Sequence, residues 1–209
     1  MPTSFPNQIS TIIGIILRMN PASMLDIGPG FGKYGFLSRE YLESWFGSNK
    51  LYQFTHRIDA VEFCEDYISP VHRFIYDNIY IGNVETELMK LPAHYELSLL
   101  IDVIEHFSLE EGKKIIARIL TKADSVIIST PKHFIPQTAI YGNEKETHLS
   151  LWKKRDFREF GRGLFFYDDE NIIWYYGKQI EKVKPFCSHQ WLKHYFPISY
   201  QLYKWLSIK

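Results

Sequence analysis

The stretch DIGPGFGKYG, from Asp26 to Gly35, gives the clearest indication of the fold. It follows a short apolar run, and three of its glycines occupy alternate positions, Gly28, Gly30 and Gly32. Glycine adopts positive φ angles without the steric penalty of other residues, so this loop can turn sharply and let the backbone approach a ligand. An apolar strand that runs into such a loop and then into helical spacing is typical of the first crossover of a parallel α/β sheet.

Up to Pro131, short apolar runs alternate with amphipathic ones. The apolar runs predict five strands, over 23–28, 57–63, 78–84, 96–103 and 124–131. Between them, apolar spacing predicts helices over 31–46, 64–77 and 108–123. Pro70 lies inside the second helix and predicts that it is shortened or kinked. Because fully apolar strands suit a sheet covered on both faces, we expect a doubly wound, mostly parallel α/β sheet.

The sequence changes character after Pro131. The polar segment 134–152 has the composition of an active-site loop, and KKRDFREFG (153–161) predicts a short helix. LFFYDDENIIWYYG (164–177) predicts an antiparallel hairpin, which completes a seven-stranded sheet. The last 32 residues, 178–209, are expected to pack on the sheet, over the site or on a partner, including a second copy in a homodimer. Their aromatic side chains are Trp191, Tyr195, Phe196, Tyr200, Tyr203 and Trp205.

Charge and cysteine content exclude several classes of protein. Lys plus Arg and Asp plus Glu each number 24, which argues against a DNA-binding protein because duplex affinity depends on neutralising phosphates. The two cysteines, Cys64 and Cys187, form no CxxC pair, so we expect neither a disulfide scaffold nor a metal site, and a cytoplasmic setting. The run TIIGIILRM (11–19) is too short to cross a bilayer and predicts a short helix with a buried face, so no membrane partner is expected.

The glycine loop suits a cationic nucleoside better than a phosphorylated one. A dinucleotide-binding loop reads G-x-G-x-x-G, and here Lys33 stands where the third glycine would be. A carboxylate at Asp26 would repel a pyrophosphate and attract a positive charge. The pattern therefore disfavours a nicotinamide-dependent oxidoreductase on the same fold.

In five places, in order, the sequence resembles the class I S-adenosylmethionine-dependent methyltransferases. The matching pieces are LDIGPGFGKYG, DAVEF, IGNV, LLIDVIEHF and VIISTP, within residues 24–131. DVIEHF, followed by a helix and STP, resembles the small-molecule subgroup that includes ubiquinone-biosynthesis enzymes. The resemblance implies S-adenosylmethionine as cofactor and one Rossmann-like domain over 1–209. In it, 1–131 would bind the cofactor, 132–177 would lie on the acceptor side, and 178–209 would be an aromatic extension.

The resemblance also implies roles for acids at three strand ends. Asp26 would face the methionine part of the cofactor while the loop glycines let the backbone run beside it. Glu62 would accept hydrogen bonds from both ribose hydroxyls, and Asp102 would lie beside the methionine part. The alternatives are that Asp26 only caps the glycine turn and that Glu62 is a solvated surface acid.

Two further residues are candidates for the adenine side. Phe63 would pack on the adenine face, or else belong to the core. Asn83, in GNV, would lie near the adenine amino group, or else act as a turn residue.

Histidines are the candidate catalytic residues. His148, on the loop after the fifth strand, is the candidate substrate-side base, and His106 is the second candidate or a structural residue holding the following turn. His133 lies on the same loop as His148. Methyl transfer from a sulfonium is an in-line displacement by an activated donor, so no metal is expected.

The function expected is methyl transfer to the oxygen or nitrogen of a small molecule. The sequence lacks the Asn/Asp-Pro-Pro-Tyr/Phe signature after the fourth strand that accompanies amide or nucleobase-amine acceptors, and DVIE stands there instead. Two alternatives stay open: a non-catalytic subunit that binds S-adenosylmethionine, and an RNA methyltransferase that depends on a partner.

Overall fold

The computed structural model describes residues 3–48, 50–140, 142–197 and 200. Its centre is one sheet of seven strands: β1 Ser23–Ile27, β2 Arg57–Glu62, β3 Asn78–Ile81, β4 Leu97–Ile101, β5 Ser125–Pro131, β6 Leu164–Phe166 and β7 Asn171–Gly177. Their order is β3-β2-β1-β4-β5-β7-β6. The first five strands are parallel, whereas β7 runs antiparallel to both β5 and β6. The predicted doubly wound sheet with its hairpin is therefore confirmed.

Helices cover both faces of the sheet. Those within the described residues are α1 Ile9–Met19, α2 Lys33–Phe46, α3 Pro70–Ile75, α4 Val84–Lys90, α5 Leu109–Lys122 and α6 Ile180–Tyr195. One cluster of buried apolar side chains joins the sheet to α1, α2, α3 and α6. A second cluster joins the opposite face to α4 and α5. The parallel strands β1, β2, β4 and β5 are thus buried on both sides, as their apolar sequences predict, whereas the edge strand β3 is partly exposed.

Local signals account for where several helices begin. The backbone N–H of Glu111 donates to the Ser108 hydroxyl, and the Glu111 carboxylate accepts from the Ser108 N–H, which confirms the predicted capping box. The predicted helix over 64–77 is shorter in the structure. A 3₁₀ turn covers Glu65–Tyr67, and α3 begins at Pro70 because proline fits the first helical position, where its missing N–H costs nothing.

Two helix predictions from the sequence differ from the structure. The helix α4 was not predicted, and a helix was predicted over 153–161 where the structure has no α-helix. The α4 helix has seven residues and buries only Val84 and Leu88, which is too short a pattern to stand out. The helix predicted over 153–161 is wrong, since the structure has turns and one 3₁₀ turn there. Its apolar residue Phe157 is fully buried between Trp152 and Trp174, at centroid distances of 5.2 and 5.1 Å, and this packing holds the segment in irregular form.

The C-terminal segment packs on its own sheet through α6. The indole N–H of Trp191 donates to the Phe165 carbonyl at 2.9 Å, and Gln190 donates to Thr11 in α1 at 2.8 Å. Of the predicted aromatic residues, Tyr203 and Trp205 lie outside the described residues. The homodimer through this segment stays a prediction. Across the ranges that the structure describes, no helix has the length and apolar character that spanning a bilayer requires.

Candidate active site

A cavity of about 470 Å³ opens beyond the carboxyl ends of β1, β2 and β4. In open α/β sheets this edge is where ligands bind, because the strand order reverses there. A volume of this size lies within the ~300–1,000 Å³ range of small-molecule sites. Nine of the predicted site residues line the cavity: Asp26, Gly28, Gly30, Glu62, Phe63, Asn83, Asp102, His106 and His148.

The glycine loop needs glycine at each of its three alternate positions. Gly28, Gly30 and Gly32 have φ angles of 68°, 57° and 80°. A Cβ atom at Gly28 would come within 2.6 Å of the Val103 side chain, so there is no room for alanine. Gly32 does not line the cavity; it is the N-cap of α2 in the left-handed conformation. Its role is to turn the chain from the loop into the helix.

Asp26 is a buried acid at the tip of β1. Its side chain is 2% exposed, and its carboxylate accepts a hydrogen bond of 2.6 Å from the Tyr76 hydroxyl. Burial raises its pKa to about 6, although the hydrogen bonds from Tyr76 and the Gly35 backbone oppose that rise. None of the ion pairs among the described residues includes Asp26. A cation in the cavity would therefore stabilise its ionised form.

Glu62 is the corresponding acid at the tip of β2. It is 6% exposed, so the alternative of a solvated surface acid is wrong. One carboxylate oxygen accepts from the Cys64 backbone N–H at 2.9 Å. Burial, with a contribution from the nearby Glu146, raises its pKa to about 7. Its carboxylate can accept hydrogen bonds from ligand hydroxyls inside the cavity.

Asp102 follows β4 and ties the N-terminal segment to the sheet. Its φ of 53° is positive, which is unusual for a residue other than glycine. One carboxylate oxygen accepts from Gln8 at 2.6 Å and from the Phe5 N–H at 3.2 Å, and the other accepts from Ser129 at 2.7 Å. Burial raises its pKa. These protein donors occupy much of the carboxylate, and its predicted contact with the cofactor stays a prediction.

The N-terminal residues 3–5 form a wall of the cavity that the sequence did not predict. The Lys33 ammonium holds them in place by donating to the carbonyl of Ser4 at 2.5 Å and to its hydroxyl at 3.1 Å. Lys33 itself lines the cavity, beside the glycine loop. The lysine at the position of the third glycine of a dinucleotide loop thus binds the N-terminal segment to the glycine loop.

Phe63 and Asn83 lie on the side of the cavity next to Glu62. Phe63 is 48% exposed, so the alternative of a core phenylalanine is wrong, and the Lys145 ammonium lies 5.5 Å from its ring centroid. Asn83 is the N-cap of α4, where its side-chain carbonyl accepts from the Glu85 N–H at 2.8 Å. That bond engages its acceptor oxygen and leaves the amide N–H₂ group as a donor.

His106 and His148 meet across the mouth of the cavity, with ring centroids 4.8 Å apart. The Leu149 and Ser150 N–H groups donate to the Glu105 carbonyl at 2.8 and 3.1 Å, and these bonds bring the two segments together. His148 Nδ1 lies 2.7 Å from the Ile135 carbonyl, and because a carbonyl only accepts, that nitrogen carries the proton. Burial, with His148 nearby, lowers the pKa of His106 to about 4.

Comparisons with known proteins give matches at the level of structure. No family model and no curated protein matches the sequence. Magnesium protoporphyrin IX methyltransferase (ChlM) from Synechocystis PCC 6803, with bound S-adenosylhomocysteine, matches with a TM-score of 0.56 and 13% identity over 80% of each chain. The N-terminal domain of EvdMO1, with S-adenosylhomocysteine and D-fucose, matches with a TM-score of 0.59 and 12% identity over 85% of each chain.

A third structure, a putative O-methyltransferase from Nostoc punctiforme PCC 73102, has a TM-score of 0.55 and 15% identity over 81% of this chain and 56% of that one. Each of the three matches covers 80% or more of this chain. The chain has the class I methyltransferase fold. The sequence did not predict three features of the site: the N-terminal wall, the bonds from Lys33 to that wall, and the bond from Tyr76 to Asp26. None of them carries a local motif, since each acts through contacts with distant segments.

Proposed function

We propose that the protein binds S-adenosylmethionine in this cavity and transfers its methyl group to a small-molecule acceptor. The observation that carries the proposal is the pair of buried acids at neighbouring strand tips, Asp26 and Glu62, on either side of a glycine loop. Asp26 has no cationic partner among the described side chains, and the ammonium of the cofactor's methionine part supplies one. The Glu62 carboxylate accepts hydrogen bonds from the ribose hydroxyls. Neither arrangement suits a pyrophosphate.

The proposed orientation of the cofactor follows from these two acids. The methionine part lies toward Asp26, the glycine loop and the N-terminal wall, and the ribose lies at Glu62. The adenine then extends past Glu62 toward Phe63, whose exposed ring offers a stacking surface, and Asn83, which has N–H groups to donate. This leaves the mouth of the cavity, around His106 and His148, for the acceptor.

The acceptor side combines apolar side chains with the polar side chains of His106 and His148. Phe31, Ile135 and Leu149 line it and are 55%, 37% and 59% exposed. Apolar side chains of this kind suit a small, partly apolar acceptor. The finer resemblance to the ubiquinone-biosynthesis subgroup, and the choice between oxygen and nitrogen as acceptor atom, stay predictions.

The chemistry is an in-line displacement at the methyl carbon. The S–CH₃ bond breaks as a bond from the acceptor atom forms, and S-adenosylhomocysteine leaves as a neutral thioether. Holding the two reactants close and aligned supplies ~7–11 kcal/mol of the rate enhancement. A hydroxyl or ammonium acceptor also loses a proton. Because its Nδ1–H donates to Ile135, His148 has its Nε2 lone pair free to accept that proton, whereas the low pKa of His106 makes that residue a weak base.

The test is a screen of alcohols, phenols and amines for acceptor-dependent release of S-adenosylhomocysteine from the purified protein. Release above the rate without acceptor supports methyl transfer. Tight S-adenosylmethionine binding without release by any acceptor would favour the non-catalytic alternative. Loss of release in the Asp26→Asn variant, with release retained in the surface variant Asp124→Asn, ties the activity to this cavity.

A further inference from the structure

Three side chains at the mouth of the cavity converge on one point. Glu105, His106 and His148 each offer one ligand atom, and these atoms all lie within 4.8 Å of one another. The histidines are 42 positions apart in the sequence (148 − 106). The cluster faces the acceptor side of the cavity, which all three residues line.

One oxygen of the Glu105 carboxylate has no hydrogen-bond partner among the described residues. The residue is 3% exposed, and its Oε2 atom makes no hydrogen bond. Leaving a buried polar atom unpaired is costly, and almost all such atoms in proteins have a partner. Its backbone carbonyl, by contrast, accepts two hydrogen bonds. These bonds fix the backbone of Glu105, and its buried side chain keeps one oxygen available to a ligand.

Both histidines present the same nitrogen to the protein and leave the other one free. His148 Nδ1 donates to the Ile135 carbonyl at 2.7 Å, and His106 Nδ1 lies 3.3 Å from the Thr147 carbonyl, which can only accept. This fixes each ring as the Nδ1–H tautomer with a lone pair on Nε2. A backbone carbonyl that holds the N–H of an imidazole is the usual support of a metal-binding histidine.

We propose that Glu105, His106 and His148 bind one divalent transition-metal ion, such as Zn²⁺, Mn²⁺ or Fe²⁺. Two imidazoles and one carboxylate form a ligand set that leaves coordination positions open for substrate. Two nitrogen ligands of three disfavour Mg²⁺ and Ca²⁺, which prefer oxygen. Bonds of ~2.0–2.1 Å place tetrahedral ligand atoms about 3.4 Å apart, so small side-chain rotations must draw the three atoms together.

The chemical role of the metal site rests on the proposed function. The site in turn indicates which class of acceptor the protein methylates. An open position beside the transferred methyl group binds a hydroxyl oxygen and lowers its pKa, so that the acceptor reacts as an alkoxide or phenolate and its proton passes to water. The acceptor is then an alcohol or a phenol. Because one lone pair cannot both bind a metal and accept a proton, His148 acts in this scheme as a ligand and not as the base.

The experiment measures metal binding directly, without turnover. The full chain is stripped with a chelator and titrated with Co²⁺, which reports coordination by visible absorption; Zn²⁺ then competes for the site. We expect one Co²⁺ per chain, displaced by Zn²⁺. In Glu105→Gln and in His148→Ala, affinity is expected to fall at least tenfold. Glu105→Gln keeps the shape of the side chain, and near-ultraviolet circular dichroism checks the fold of both variants.

His133→Ala is the matched control, because His133 is exposed on the same loop and does not line the cavity. It should bind Co²⁺ as the wild type does. The proposal is overturned if the wild type takes up no Co²⁺ at millimolar concentration, or if the Glu105 and His148 variants bind it unchanged. S-adenosylmethionine binding is measured separately on the same stripped samples. Its retention without metal binding would leave the proposed function standing and remove only the metal site.

Discussion

The Tyr76 hydroxyl donates a 2.6 Å hydrogen bond to the Asp26 carboxylate, and no ion pair among the described residues neutralises that acid. Tyr76 follows α3, so the bond links the tip of β1 to the end of that helix. It orients the carboxylate in the cavity without cancelling its charge. Under the proposed function, the ligand supplies the positive charge.

Cofactor affinity is expected to depend on pH through this acid. The pKa of Asp26 is raised to about 6 by burial, so in the empty cavity the carboxylate is ionised above that pH and protonated below it. A cation binds the ionised form, and S-adenosylmethionine should bind at least threefold more weakly at pH 5.5 than at pH 7.5. Calorimetry across this range measures the effect. The Asp26→Asn variant is the control, and an equal slope in that variant would assign the pH dependence to another group.

The buried acids Asp26 and Glu62 should make the stability of the ligand-free protein fall as pH rises from about 4 to about 7, while the lowered pKa of His106 opposes part of this fall. The pKa values of Asp26 and Glu62 are raised to about 6 and about 7, so the folded chain holds protons that the unfolded chain has already released. Stability decreases wherever the folded state binds more protons. Urea unfolding of Glu62→Gln should show a shallower decrease than the wild type. A wild type whose stability rises through this range, with no difference between the two proteins, would contradict the burial of these acids.

Substitution of Gly28 by alanine should lower the free energy of unfolding by more than the strain of the backbone alone accounts for. Gly28→Ala places a Cβ 2.6 Å from Val103 at a φ of 68°, whereas Gly142→Ala at a φ of 76° meets nothing within 4 Å. Gly142→Ala is expected to cost on the order of 1 kcal/mol from its φ angle, and Gly28→Ala at least about 1 kcal/mol more. Urea unfolding of both variants measures the difference. Equal losses would mean that the loop has more room than the structure gives it.

The N-terminal wall should loosen when Lys33 is replaced. Lys33→Met removes both bonds to Ser4 while keeping an unbranched side chain of similar length. Amide hydrogen exchange of residues 3–8 is expected to speed up several-fold, with exchange in β4 unchanged. Arg155→Met is the control, as Arg155 is exposed and does not line the cavity. Unchanged exchange in Lys33→Met would show that the bonds to Asp102 and Asp168 are enough to hold the segment.

His148→Ala should separate binding from turnover. Under the proposed function, it leaves S-adenosylmethionine affinity within about twofold and lowers the release of S-adenosylhomocysteine by on the order of 10² or more, whether His148 acts as base or as metal ligand. The matched variant His133→Ala should retain the full rate. Isothermal calorimetry and single-turnover assays give the two quantities. Equal turnover in His148→Ala and wild type would remove His148 from the chemistry.

The sheet was predictable because its signals are local. Each strand is a short apolar run bounded by loop residues, and the glycines that turn the chain at Gly28, Gly30 and Gly32 adjoin the strand that they end. The helix α4 was missed because seven residues carry too little periodicity. The helix predicted over 153–161 failed because Phe157 pairs with Trp152 and Trp174, which tertiary packing alone brings together.

The cavity was predictable only where it consists of strand ends. Asp26 and Glu62 lie at the carboxyl ends of β1 and β2, so their meeting at one edge of the sheet follows from parallel topology. The N-terminal wall depends on bonds from Phe5 and Gln8 to Asp102, which span 97 and 94 positions of sequence. No local pattern encodes a contact of that range. The cluster of Glu105 with the two histidines was not predicted for the same reason, because it also joins segments that are distant in the sequence.

The proposed function places a positive charge on an adenosine-based ligand beside Asp26. The decisive experiment is calorimetric titration of the wild type and Asp26→Asn with S-adenosylmethionine, and of the wild type with a nicotinamide dinucleotide. We expect micromolar binding of S-adenosylmethionine, at least tenfold weaker in Asp26→Asn (about 1.4 kcal/mol), and no binding of the dinucleotide. No heat with S-adenosylmethionine at millimolar concentration, or tighter binding of the dinucleotide, would contradict it.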